Sequence, residues 1–239
     1  MVSSGIPAID ALTGGLPRGC LTEICGPASS GRTSLLLAAL AAATRRGEFC
    51  TVVDASDALD PDSAVAAGVE LDRLLWVRCG ESSQRECSPR RHRATETNSL
   101  KNQIQSRSEN QTEHRLEQVL RATDLLLESG GFGLIVLDLG DLPQQAARRI
   151  PLTTWFRFRR AVENKPTILL AIEQHPIAGS CSSLLLQLGD PSAADPDNIG
   201  PTHAQLLTGL DITAELIRSR LDRKPARSVM FETKTAWAG

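Results

Sequence analysis

A chain of 239 residues with 41% hydrophobic content has the apolar mass for one α/β domain with a sizeable core, or at most two small ones. A formal charge of −2 excludes a general electrostatic magnet for nucleic acid, so any such contact must come from a local basic patch. No apolar run approaches the roughly 20 residues of a membrane span and nothing at the N-terminus reads as a signal peptide, so a cytoplasmic protein with no membrane role is expected.

Aromatics are 3% and tyrosine is absent, which leaves the core to Leu, Ala, Val and Ile. The six cysteines (20, 25, 50, 79, 87 and 181) form no CxxC pair, and several sit inside strand-like apolar runs. They read as buried, reduced thiols rather than disulfide or zinc ligands.

In chain order, residues 2–18 are a turn-rich lead-in around a short amphipathic piece, Ile6 to Leu12. An apolar strand over 21–25 then runs into Gly26-Pro27-Ala28-Ser29-Ser30-Gly31-Arg32-Thr33, and a Leu/Ala-rich helix follows from Ser34 to about Arg46, with Gly47 as its stop. Strand, glycine-rich turn and helix in that order is the context of a phosphate loop. Glycines let the backbone curl around phosphate oxygens, while successive N–H groups and the helix dipole favour negative charge. Thr33 stands where a hydroxyl would hold Mg²⁺. The basic position is Arg32 rather than lysine, the same charge on a planar fork. Taken alone, these residues also fit a Gly/Ser turn before an ordinary core helix.

A strand over 50–54 ends in Asp54; Asp60 and Pro61 are N-cap and first residue of the next helix; a third strand covers 74–77. Residues 80–112 are nearly devoid of apolar side chains and predict a disordered polar insertion. Its cluster Arg90-Arg91-His92-Arg93 fits phosphate contact or a solvated linker. Order is expected to return with a helix over 113–129, a strand over 134–138 closing on Asp138, a helix over 153–163 and a strand over 167–172 leading to Glu173-Gln174. Another apolar run covers 184–188, a bend covers 190–201, and two late strands cover 212–217 and 228–233. This order predicts an α/β fold, with a mostly parallel central β-sheet flanked by helices.

Ligands of such sheets bind beyond the C-terminal strand ends, where Asp54, Asp138 and Gln174 would converge on the loop. Asp138 has the Walker B form, four apolar residues and a carboxylate, and would hold Mg²⁺. Gln174 would sense the γ-phosphate side or simply end a core strand.

These residues resemble the recombinase RecA. The stretch from Ser3-Ser4-Gly5-Ile6 through the phosphate loop to Ser34-Leu35 is similar to that family's lead-in, and Asp54 to Pro61 with Gly68 to Leu75 follows its second diagnostic stretch. Asp138, Gln174 and Arg218-Ser219-Arg220 fall in family order. The resemblance covers nearly everything but the polar insertion and implies ATP and Mg²⁺ as cofactors. It implies phosphate binding by Gly26, Pro27, Ala28, Ser29, Ser30, Gly31, Arg32, Thr33 and Ser34, Mg²⁺ on Thr33 and Asp138, and an adenine contact at Asp60. Arg148 and Arg149 lie where the family's first DNA loop would be, fitting phosphate contact or a solvated surface. Arg218 and Arg220 match two basic residues that reach the next subunit's ATP in a filament.

The departures bear on activity. The family's catalytic glutamate matches Ser56, too short and never anionic; Asp57 is the weak substitute. The adenine-stacking aromatic corresponds to Ser63. The family's N-terminal oligomerisation segment and C-terminal domain are expected to be absent, and the second DNA loop, between Gln174 and Leu184, is short. A shortened, catalytically depleted relative is similar to ImuA, an accessory of SOS mutagenesis. That likeness implies a RecA filament and a translesion polymerase as partners, with single-stranded DNA as a further one, and weak or no hydrolysis. The alternatives are an active DNA-dependent ATPase and a nucleotide-free structural module.

Overall fold

A computed structural model describes residues 1–80, 98–189, 209–220 and 228–234. Among the described residues, eight strands form one sheet in the order β3-β2-β4-β5-β1-β6-β7-β8. The strands are β1 (Leu21–Cys25), β2 (Phe49–Asp54), β3 (Leu74–Arg78), β4 (Phe132–Asp138), β5 (Ile168–Glu173), β6 (Leu184–Leu188), β7 (Gly209–Ser219) and β8 (Ser228–Lys234). Pairing is parallel from β3 through β6, while β7 and β8 run antiparallel. The expected fold class is the observed one.

The central strands are apolar at nearly every position because both sheet faces are covered. Val52, Leu134, Val136, Leu170 and Leu186 face helices α1 (Pro7–Thr13), α2 (Arg32–Arg45) and α3 (Pro61–Ala66). Their strand neighbours Val53, Ile135, Leu137 and Leu169 face the other layer, built by α4 (Asn98–Ser129) and α6 (Leu152–Val162), with the short α5 (Gln144–Ala147) before α6. Trp155 and Phe158 are fully buried there in edge-to-face contact. Period-2 alternation along each strand thus supplies two separate cores.

The helix expected from residue 113 begins at Asn98, so the upper limit of the expected disordered insertion, 112, is corrected. A polar, uncharged-to-charged stretch lacks an apolar stripe, yet such residues propagate a helix already nucleated and packed downstream. Residues 81–97, with Arg90-Arg91-His92-Arg93, and the bend at 190–201 lie outside the described residues. Among the described residues no helix is long and apolar enough to cross a membrane. Five described cysteines are free, and burial pushes the thiols of Cys25 and Cys50 up to about 12, so neither is a nucleophile.

Candidate nucleotide site

The loop after β1 opens at the C-terminal edge of the sheet, between β5 and β6. Ser29 and Gly31 take positive φ of 63° and 86°, curling the chain so that Gly31 leads directly into α2. A Cβ at Gly31 would land inside the Ile212 side chain, and one at Gly26 would lie 2.7 Å from the Leu188 carbonyl. Both glycines are therefore required by close approach, and Gly31 by curvature as well. Pro27, Ala28, Ser29 and Thr33 are exposed, while Ser30 is buried with its hydroxyl lacking a partner. The α2 N-terminus carries neither a side-chain cap nor an acidic residue in its first turn. Its orphan N–H groups stay available to an anion. These features fit a bound phosphate chain.

The other expected residues can be placed by strand position, each neighbouring strand adding about 4.8 Å. Asp138 ends β4, two strands from β1 and about 10 Å away. Its Oδ1 accepts the Gly140 N–H at 3.0 Å, and burial, with Asp54 and Asp141 nearby, pushes its carboxyl up to about 6. Gln174 follows β5, beside β1, and donates to the carbonyls of Gly140 (2.9 Å) and Leu142 (3.3 Å). Arg32 is buried to 9% and donates Nη1 to the same Gly140 carbonyl at 3.1 Å. The structure thus gathers Arg32, Asp138 and Gln174 around Gly140, beside the first turn of α2 that holds Thr33 and Ser34. A Mg²⁺ carried by a triphosphate needs only one or two protein oxygens, which Thr33 and Asp138 can supply; among the described residues there is no group of three acidic, His or Cys side chains that could cage a metal unaided.

Asp54 is not a third member. Its carboxylate is buried to 1% and accepts four N–H groups: Ser56 and Asp57 on Oδ1 at 2.9 and 2.8 Å, Leu59 and the Trp76 indole on Oδ2 at 2.9 and 3.2 Å. It organises the 54–59 turn. That turn puts Asp57 in the left-handed region, φ 61°, and into a forked ion pair with Arg78, which holds its carboxyl below the usual carboxylate range. Arg78 ends β3, four strands from β1 and about 19 Å away, so Asp57 faces the sheet edge. Ser56 keeps a buried hydroxyl without a partner. Asp60 caps α3 by accepting the Ser63 N–H at 3.0 Å, and the Ser63 hydroxyl also donates to it.

Arg149 pairs with Glu113 of α4, whereas Arg148 is exposed and makes no ion pair among the described residues. Arg218 and Arg220 are not near the chain's own loop. Gly31 abuts Ile212, and Arg218 is six residues further along β7, about 20 Å away. Positions 212, 214 and 216 of β7 face the α2 side. An extra residue at Ile217 shifts the register, from Leu186↔Leu216 to Leu185↔Arg218. This bulge turns both arginines to the opposite face. There they tie down the crossover from β5 to β6: Arg218 bonds the Gly179 carbonyl and the Ser182 hydroxyl, and Arg220 the Ser180 carbonyl. Glu23 of β1 completes the strap by accepting the Ile177 and Ala178 N–H groups at 3.0 and 2.7 Å. The bulge, the strap and the Gly140 hub have no local motif; the run Asp-x-Ser-Asp was the only sign of the 54–59 turn.

Residues 1–85 match the family model of the RecA N-terminal domain. Among curated relatives, the chain is 52% identical over 75 residues to Protein RecA of Nostoc punctiforme, covering 31% of this chain and 21% of that protein. It is 36% identical over 140 residues to Protein RecA of Leifsonia xyli subsp. xyli, and 35% identical over 140 residues to that of Ectopseudomonas oleovorans, in both cases covering 58% of this chain and 30% of the relative. The match therefore spans less than a third of these proteins. In fold the chain is similar to the crystal structure of the RadB recombinase, with a TM-score of 0.61 at 18% identity, over 98% of this chain and 96% of that one.

Proposed function

We propose that the protein is a RecA-type ATP- and Mg²⁺-binding module of DNA repair that holds its nucleotide with little or no hydrolysis. One observation supports the reading: a glycine loop opens onto an uncapped helix N-terminus, while the position of the family's catalytic glutamate holds Ser56. Ser56 has no charge, and Asp57 is turned to Arg78 at the sheet edge. Phosphoryl transfer depends on positioning and charge stabilisation, and general-base action is worth ~10²–10⁴ in rate. In this reading the N–H groups from Ala28 to Ser34 bind the phosphates, apart from that of Ser30, which like that of Gly26 donates to a backbone carbonyl; Arg32 adds positive charge, Thr33 and Asp138 hold Mg²⁺, and Gln174 reads the γ-phosphate side. Asp60, the proposed adenine contact, also holds the α3 cap.

As partner we infer a RecA filament, in a SOS and translesion setting similar to that of ImuA. Two surfaces support it. Arg218 and Arg220 lie too far from the chain's own loop to serve it, so a phosphate they meet belongs to a neighbour. Among the described residues β3 is the outer strand of the sheet, with Leu75 46% exposed, and such an edge accepts a further strand. Contact of Arg148 and Arg149 with single-stranded DNA belongs to the same proposal. Retention on RecA filaments assembled with single-stranded DNA tests it. Wild type should be retained, and Arg220→Ala, whose side chain makes one surface hydrogen bond, should lower retention at least fivefold with an unchanged unfolding midpoint. No retention of the wild type would refute the partner.

A further inference from the structure

Gly140 is a glycine for a reason other than its backbone. It is absent from the positive-φ residues, so any amino acid could adopt its conformation. Space is what the position lacks: a Cβ would lie 2.9 Å from Nη1 and 3.3 Å from Cζ of Arg32, and 3.1 Å from Oδ1 of Asp138. The hollow left by the missing side chain is occupied by the guanidinium. The same residue's carbonyl receives Arg32 and Gln174, and its N–H goes to Asp138, so three site side chains rest on one residue's backbone.

We propose that Gly140 and Arg32 are a matched pair, with Gly140 the positioning residue that allows the cation of the phosphate loop to be an arginine. A lysine reaches such a loop as a thin chain with a compact head and needs no hollow; a guanidinium is wide, planar and rigid. Seated against Gly140, it is pinned at Nη1. Among the described residues its side chain makes this one hydrogen bond, which leaves the rest of the fork for an anion. The arginine is then a built feature of this site, held ready for a phosphate. This inference rests on the nucleotide-site reading above.

Four proteins test it: wild type, Gly140→Ala, Arg32→Lys and the double variant. Two quantities are measured on each, the affinity for a fluorescent ATP analogue with Mg²⁺ and the unfolding midpoint without nucleotide. Gly140→Ala should weaken binding about tenfold beside Arg32 and at most about threefold beside the lysine, because the tightest clash, with Nη1, is then gone and only the 3.1 Å approach to Asp138 Oδ1 remains. The ligand-free midpoint should fall on the same substitution beside Arg32 and fall clearly less beside lysine. A Gly140→Ala chain that folds only when Arg32→Lys accompanies it is the same coupling in stronger form. Equal effects in the two backgrounds, or none in either, would overturn the pairing. If wild type fails to bind the analogue at millimolar concentration, the nucleotide reading falls, while the ligand-free midpoints still decide the pairing.

Discussion

Replacing Asp54 by alanine is expected to destabilise the fold by about 3–5 kcal/mol, the scale for leaving buried hydrogen-bonding groups without their charged partner. The carboxylate is 1% exposed and serves four donors from Ser56, Asp57, Leu59 and Trp76. Its loss orphans the buried Leu59 N–H and the Trp76 indole together, and frees the turn that holds Asp57 against Arg78. Asp54→Asn keeps one carbonyl oxygen but turns an NH₂ towards donors, so about half the loss is expected. Urea unfolding followed by tryptophan fluorescence measures both. A loss below about 1 kcal/mol for Asp54→Ala would contradict the assignment of this residue to architecture rather than to metal. Against a typical domain stability of about 5–15 kcal/mol, the expected loss is severe.

Glu173→Gln is expected to stabilise the protein, increasingly so as pH rises. Glu173 is 1% exposed, and among the described residues neither of its carboxylate oxygens has a hydrogen bond, the nearby Ile177 N–H going to Glu23; Glu23, 0% exposed, leaves Oε2 unpartnered beside it. The register Glu23↔Ala171 and Cys25↔Glu173 puts Glu23, Cys25 and Glu173 on one sheet face, under the strap. Burial, with Glu23 alongside, lifts the Glu173 carboxyl well above its ordinary range. The folded protein therefore keeps a proton that the unfolded chain has released. Stability from this group is full below the unfolded carboxyl value of about 4.3 and is lost as pH climbs through the folded one, with a slope of up to about 1.4 kcal/mol per pH unit. Glutamine has no proton to lose, so its stability curve should be flat where wild type declines. Denaturant unfolding at pH 5, 7 and 9 checks this; parallel curves for the two proteins would contradict it.

The parts of this molecule that follow from local chemistry were legible in the sequence. Apolar runs such as Leu134 to Asp138 became central strands, Asp60 and Pro61 started α3, and the loop from Gly26 to Thr33 joined a strand to a helix. What was not legible depends on contacts between distant residues. Asp54 is a strand-ending carboxylate whichever way it points; only its four donors, one from Trp76 on the neighbouring strand, distinguish an anchor from a metal ligand. Asp57 looked like a substitute base because proximity in sequence ignores Arg78. A single extra residue at Ile217 reverses the facing of Arg218 and Arg220, and no pattern in Glu-Leu-Ile-Arg announces it. The start of α4 escaped for a different reason, since a polar segment carries no period to read.

The central claim is that the nucleotide is bound and kept. Equilibrium binding of ATP with Mg²⁺ and phosphate release should be measured on one preparation, with and without single-stranded DNA, beside Arg32→Ala. Saturable binding that Arg32→Ala weakens at least tenfold, with phosphate release no faster than in that variant, is the predicted result. Turnover well above the variant, stimulated by DNA and abolished by Asp57→Ala, would contradict it.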